Sequence, residues 1–288
     1  MRPLTATLAP WRPLPCSPPA PPARGPDART ATIQRTANGV AHITAPDAET
    51  LAFGMAYAYA QDNVCMTADQ LVTVRGERAR YLGGATPGLL ARRMFPNEQI
   101  DLFIAAHMDD AALERAWAGA GSETQAMARG AVAGYNRYLA DQAGKLPAAC
   151  NGQPWVKPMT LADFRRQTEL TAVQAATASL GRRGAGRAPA AANFPQLAGR
   201  RHAPPGRRRR RDARGRPARR AAGLNAQGFW QDTTANGSGL LMGNPHFPWA
   251  GVNRFWQVHL TIPGNLDVMG VGIGSFPGVT IGFNKDVA

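Results

Sequence analysis

Residues 234–288 read TANGSGLLMGNPHFPWAGVNRFWQVHLTIPGNLDVMGVGIGSFPGVTIGFNKDVA. The centre of that stretch decides the fold. Phe255, Gln257, His259 and Thr261 alternate with Trp256, Val258, Leu260 and Ile262, and the run stops at Pro263-Gly264. A period of two with a turn signal at its end predicts a half-buried strand. Val268–Gly272 and Val279–Phe283 are two further short strands bounded by Gly and Pro. Gly270-Val271-Gly272-Ile273-Gly274 lacks the third glycine at dinucleotide spacing and a following helix, so it reads as a bend from sheet to loop.

Upstream the pattern changes. Residues 1–29 hold nine Pro in the first 26 positions and read as a disordered leader without an apolar signal-peptide core. Residues 30–45 alternate around Asn38-Gly39, a hairpin turn signal. From Asp47 to about Ser179 the spacing is helical. Ala52, Met55, Ala56 and Tyr59 share one face, and Val132, Tyr135 and Leu139 share another. Pro147, Pro154 and Pro158 interrupt the chain, with Asp163 the candidate opener of the next helix. Helices followed by strands predict an α+β architecture.

The net charge of +14 and pI near 11.0 would ordinarily suggest nucleic acid. Residues 181–222, however, carry fourteen Arg and one Asp, a local +13 that leaves +1 for the rest of the chain. The run Arg207 to Arg211 has no interleaved aromatics and no folded reader motif. It reads as a solvated Arg/Pro/Ala-rich spacer, and nucleic acid is not the expected partner. No run approaches the ~20 apolar residues of a membrane span. Three cysteines, Cys16, Cys65 and Cys150, exclude a disulfide-built scaffold. Cys65 and Cys150 either pair, if the chain is exported, or stand as buried free thiols. His42, His107 and His259 show no metal-ligand spacing and read as structural or exposed, so no metal and no cofactor is expected.

Several motifs in order carry a resemblance. They are Gly39-Val40-Ala41-His42-Ile43, Tyr57-Ala58-Tyr59-Ala60-Gln61-Asp62-Asn63, Arg75-Gly76-Glu77 through Tyr81-Leu82-Gly83, Gly134-Tyr135-Asn136, and Cys150 with Pro154-Trp155. Asn225-Ala226, Asp232, Ala235-Asn236-Gly237 and Gly243-Asn244-Pro245-His246 follow downstream. Together they resemble the penicillin acylase family of N-terminal-nucleophile amidohydrolases, most closely its branch acting on acyl homoserine lactones and aculeacin-type lipopeptides. The match covers about residues 30–180 and 225–288. The resemblance implies an αββα sandwich, an α/β heterodimer cut from one precursor, a small-molecule amide substrate, and a periplasmic or secreted address. It divides the chain into a leader (1–29), a helical subunit-like region (30–180), the spacer (181–222) and the start of a catalytic subunit-like region (223–288).

Hydrolysing an amide requires a nucleophile, a base and oxyanion donors. The family supplies the first two from one Ser, freed by self-cleavage in a Gly-Ser-Asn context. Here the matching triplet is Gly223-Leu224-Asn225, so the autocleavage junction falls at Gly223 and Leu224. His246 lies 22 positions later, where the family keeps a histidine that assists the nucleophile's amine, and Phe247 would line the acyl pocket by the same resemblance. Leu has no heteroatom with which to attack or cleave, and no Ser, Thr or Cys occurs between Gly181 and Gln231. The expectation is an inactive, unprocessed and truncated copy with unpaired strand edges, its spacer altered by a shifted reading frame. The competing classes are a remnant without function and a basic nucleic-acid-binding module.

Overall fold

The computed structural model describes residues 29–90, 93–180, 224–249, 251–274 and 276–287. The leader up to residue 28, the spacer with Arg207 to Arg211, and Gly223 lie outside the described residues. In chain order the elements are β1 (Thr32–Arg35), β2 (Ala41–Thr44), α1 (Ala48–Arg75), α2 (Arg78–Leu82), β3 (Pro87–Leu90), β4 (Arg93–Pro96), α3 (Asn97–His107), α4 (Asp110–Ala118), α5 (Ser122–Asp141), α6 (Leu161–Leu180), β5 (Leu224–Phe229), β6 (Leu240–Pro245), β7 (Phe255–Ile262), β8 (Leu266–Ile273) and β9 (Ile281–Phe283).

Asn38-Gly39 turns β1 into β2, as the alternation around it predicts. Gly39 sits at φ 81, a conformation that side chains with a Cβ rarely adopt. The amide of Gly39 donates to Thr36 O at 2.9 Å. β2 then pairs in parallel with β7, placing Ala41 opposite Val258 and His42 opposite His259. The main sheet runs β1-β2-β7-β8-β9, antiparallel except at that one junction. The two halves of the sequence therefore share one sheet. The alternation read in β7 is realised: Val258, Leu260 and Ile262 are buried, while Gln257, His259 and Thr261 face away. β9 begins two residues later than Val279, although the Thr280 amide still donates to Val271 O at 2.8 Å.

α1 lies across the buried face of this sheet. Leu51, Met55 and Ala58 pack on Ala41, Ile43, Val258, Leu260 and Ile262. Its opposite flank meets α5, and this second face explains why apolar residues surround the helix instead of forming one stripe. The contact with α5 is backbone to backbone. A Cβ at Gly130 would lie 2.0 Å from Glu49 O, and one at Gly134 would lie 2.1 Å from Phe53 O. Tyr135 is buried beside them, and Asn136 brackets Met159 by donating to its carbonyl and accepting from its amide.

Asp47 opens α1 by accepting from the Thr50 amide at 2.8 Å. Midway, Asn63 leaves helical geometry (φ −142°, ψ 21°), and the three polar residues there each find a partner from a strand or its flank. Arg35 of β1 donates to Gln61 Oε1 and to Asp62 Oδ2, Trp256 of β7 donates to Asp62 Oδ2 at 2.8 Å, and Arg254 donates to Asn63 Oδ1. The Gln61-Asp62-Asn63 motif is thus a fastening between helix and sheet. At the end of α1, Arg75 donates twice to Asp163 Oδ1 and Oδ2 (2.9 and 2.7 Å) and once to Pro158 O. Thr160 and Asp163 cap the start of α6 reciprocally, so the helix opens just before Asp163.

Two readings need correction or completion. The stretch from Asp47 to Ser179 is not continuously helical, because β3 and β4 form an antiparallel hairpin inside it. Asn97, fully buried at the end of that hairpin, accepts from Arg78 Nε and donates to Gly83 O, and this polar core pins the turn where helical periodicity fails. Of the two cysteine alternatives, Cys65 and Cys150 are joined by a disulfide that ties α1 to the turn beyond α5.

Gly134→Ala should force α1 and α5 apart. We expect a loss of about 3 kcal/mol, the upper end of overpacking penalties, in urea unfolding; a loss under ~0.5 kcal/mol would show that the helices can part freely. Burial opposes ionisation of Asp163, but the hydrogen bonds from Arg75 and Thr160 outweigh it and hold the carboxyl below its ordinary value. Its contribution is therefore present above the ordinary carboxylate range and fades as pH falls through the depressed native value. Asp163→Asn should flatten the acid limb of the Tm–pH profile, and an unchanged limb would reject this account.

Candidate functional site

Among the described residues, β5 and β6 pair only with each other, as an antiparallel hairpin in the register Leu224↔Pro245 through Phe229↔Leu240. Its closed end is the segment 230–239. There Gln231–Thr233 makes a single 3-10 turn, Thr233 Oγ1 donates to Trp230 O, and Asn236 Oδ1 accepts from the Ser238 amide. Its open end brings together two stretches that the sequence singles out. The backbone of Leu224 lies opposite Pro245, so position 224 and His246 are neighbours at one end of the ladder.

His246 is exposed. Phe247 is half-buried and stacks on Phe255, the first residue of β7, with ring centroids 4.6 Å apart and planes 20° off parallel. That stack connects the open end of the hairpin to the main sheet. The hydroxyls nearest in sequence to the ladder, Thr233, Thr234 and Ser238, lie at its closed end, about 17 Å away along a six-residue strand. The hairpin presents Phe229, Leu240, Leu241 and Met242 to solvent.

A separate cavity of about 340 Å³ opens between α6, α1 and the loops flanking β7 and β8, lined among others by Gln70, Phe164, Gln167, Val252, Ile273 and Phe276. Gln167 Nε2 donates to Gln70 Oε1 at 3.0 Å, and the rest of the lining is chiefly apolar. Such a chamber suits an alkyl or aryl group. His246 and Phe247 lie outside its lining. Close to the α1 kink, the Tyr59 hydroxyl is buried without a hydrogen-bond partner among the described residues, and its ring meets Trp256 edge-on. Burial pushes its pKa up to about 12 although Arg254 pulls it down, so Tyr59 stays neutral and cannot serve as a base near neutrality.

One polar cluster escapes sequence reading altogether. On the sheet face away from α1, His259 Nδ1 lies 2.8 Å from His42 Nδ1, and His259 Nε2 lies 2.6 Å from Asp267 Oδ1. The two histidines are 217 residues apart, and only the β2–β7 register brings them face to face. Among the described residues, no group of three or more His, Cys, Asp or Glu is arranged to hold a metal ion, and no helix is long and apolar enough to cross a membrane.

The penicillin amidase family model matches residues 30–288. The chain is 39% identical over 270 residues to acyl-homoserine lactone acylase PvdQ of Pseudomonas syringae pv. tomato, covering 90% of this chain and 33% of that relative. It is 35% identical over 275 residues to aculeacin-A acylase of Actinoplanes utahensis, again covering 90% and 33%. The chain thus spans about a third of the length of the curated relatives it matches. Among solved structures, a thermostable penicillin G acylase from Alcaligenes faecalis aligns over 57% of this chain and 78% of that one, with a TM-score of 0.41 and 23% identity.

Proposed function

The chain belongs to the penicillin amidase family, and from that premise we propose that it carries part of an amide hydrolase releasing an acyl chain from an amine, in a copy that neither processes itself nor turns over. The relatives are named for acyl-homoserine lactone and aculeacin-A, and amides of that kind are the substrates a working copy would take. The observation that carries the reading is the register at the open end of the β5–β6 hairpin. It pairs the backbone of Leu224 with Pro245, one residue before His246, which supports reading position 224 and His246 as the nucleophile position and its assisting imidazole, and position 224 is a leucine.

The chemistry follows from the side chains. A hydroxyl at 224 would attack the amide carbonyl after its own amine, freed by cleavage at Gly223, took up the proton. The imidazole of His246 would orient that amine. A leucine supplies none of this, and the hydroxyls in the hairpin's described residues are at its far end. The missing nucleophile therefore blocks both steps, cleavage of the precursor and hydrolysis of substrate. No cofactor enters such a reaction. The disulfide between Cys65 and Cys150 supports a periplasmic or extracellular address, since such bonds persist in oxidising compartments. The arginine-rich spacer takes no part in this reading.

Purified protein should give a single uncleaved species of 30.7 kDa by intact mass and hydrolyse acyl homoserine lactones of short and long chain no faster than buffer. A fragment beginning near residue 224, or turnover above background, would overturn the proposal. Re-reading the coding DNA across codons 175–288 tests its premise directly, because a serine codon at 224 in a corrected frame removes the block. Separately, thiol titration of denatured, unreduced protein from an oxidising compartment should find one free thiol, not three. Reducing the bridge should lower stability by about 4–5 kcal/mol, because it closes a loop of 85 residues.

A further inference from the structure

We propose that the hydrogen bond between His42 and His259 is an acid-labile clasp between β2 and β7, the junction at which the helical region meets the chain beyond the spacer. The fold builds it. The parallel register sets the two residues opposite each other, their rings meet edge-on with centroids 4.8 Å apart, and Nδ1 faces Nδ1 at 2.8 Å. Such a bond exists only while one nitrogen carries the proton and the other offers its lone pair. Both rings are partly buried, so water replaces a lost partner less readily than at an open surface. The ladder it fastens is four residue pairs long, so each tie across it counts.

Asp267 sets how many protons the pair can hold. Its carboxylate accepts from His259 Nε2–H at 2.6 Å, which leaves Nδ1 of the neutral His259 to accept from His42 Nδ1–H. One added proton keeps the bond, because the charged ring donates and the neutral ring accepts. A second proton sets two N–H groups head to head and puts two positive charges on facing strands. On this sheet face Gln34 of β1 lies opposite His42, Met269 of β8 lies opposite His259, and the pair Thr44 and Thr261 comes next along the ladder. Among the described residues, Asp267 is the only other titratable group that the five strands turn to this face, and α1 packs on the opposite one. One carboxylate offsets one imidazolium and not two. In the unfolded chain both rings charge freely in water, so the clasp contributes near neutrality and is lost as pH falls.

The experiment uses the whole chain with ¹⁵N-labelled histidine. Nuclear magnetic resonance should show a through-bond coupling between the two Nδ1 nuclei near pH 7.5 that vanishes near pH 5, across the range in which imidazoles ordinarily charge. Thermal unfolding over the same range supplies a second readout. His42→Asn places an amide where Nδ1 stood, able to donate to a neutral His259 or accept from a charged one, so it keeps a partner at both pH values. Its Tm should therefore fall by about 3 °C less than that of the unaltered chain on acidification. Asp267→Asn removes the balancing charge and should enlarge the fall, whereas His107→Asn should leave it unchanged. Circular dichroism checks that each variant is folded, and the coupling in the unaltered chain tests the clasp without any variant. No coupling near pH 7.5, a coupling that persists near pH 5, or an equal fall of Tm in His42→Asn would overturn the proposal.

Discussion

The parallel ladder between β2 and β7 is the constraint from which the rest of the molecule follows. Four residue pairs, Ala41↔Val258 to Thr44↔Thr261, join the beginning of the described chain to its last quarter. A slip of one residue would turn Val258, Leu260 and Ile262 to solvent and His259 into the core, since the side-chain period of a strand is two. The register is held from both sides. Below the sheet, Ala41 and Ile43 interlock with those three residues and with α1. At its margin, Arg35, Trp256 and Arg254 converge on Gln61, Asp62 and Asn63.

This gives the Gln61-Asp62-Asn63 string in α1 a mechanical meaning. Gln61 and Asp62 are exposed at the helix surface and Asn63 is buried at the kink, and all three accept from donors on β1, β7 or the residue before β7. The kink coincides with the hydrogen bond that Arg254 donates to Asn63 Oδ1. Charged groups hold α1 at its ends: Asp47 at its start, Arg75 with Asp163 at its finish.

What could be read from the sequence was what is local. The alternation of β7 and its Pro263-Gly264 stop and the Asn38-Gly39 turn came through, because each depends on residues within one strand or turn of each other, whereas Met55 and Ala56, read as one helix face, pack against the sheet and against α5 respectively. The β3–β4 hairpin did not. Pro87-Gly88-Leu89-Leu90 has no clean alternation, and it is stabilised by the distant pair Arg78 and Asn97. The disulfide connectivity stayed open for the same reason, as did the face-to-face histidines. Of the candidate site, the alignment of Leu224 with His246 was legible as a count along the chain, whereas their adjacency needed the Leu224↔Pro245 register. The apolar cavity under α6 draws on four separate segments and leaves no trace in any one of them.

The shared sheet also imposes an order on events during synthesis. β1 and β2 leave the ribosome early, and two strands alone are marginal in water. Their partner β7 is complete only when residue 262 has been made, roughly ten to forty seconds later at ordinary elongation rates. Throughout that interval the edge of β2 offers an unpaired row of amides and carbonyls to any other extended chain nearby. A nascent chain of this design therefore depends on α1 folding back across the hairpin first, and on whatever chaperone reaches that edge before another strand does.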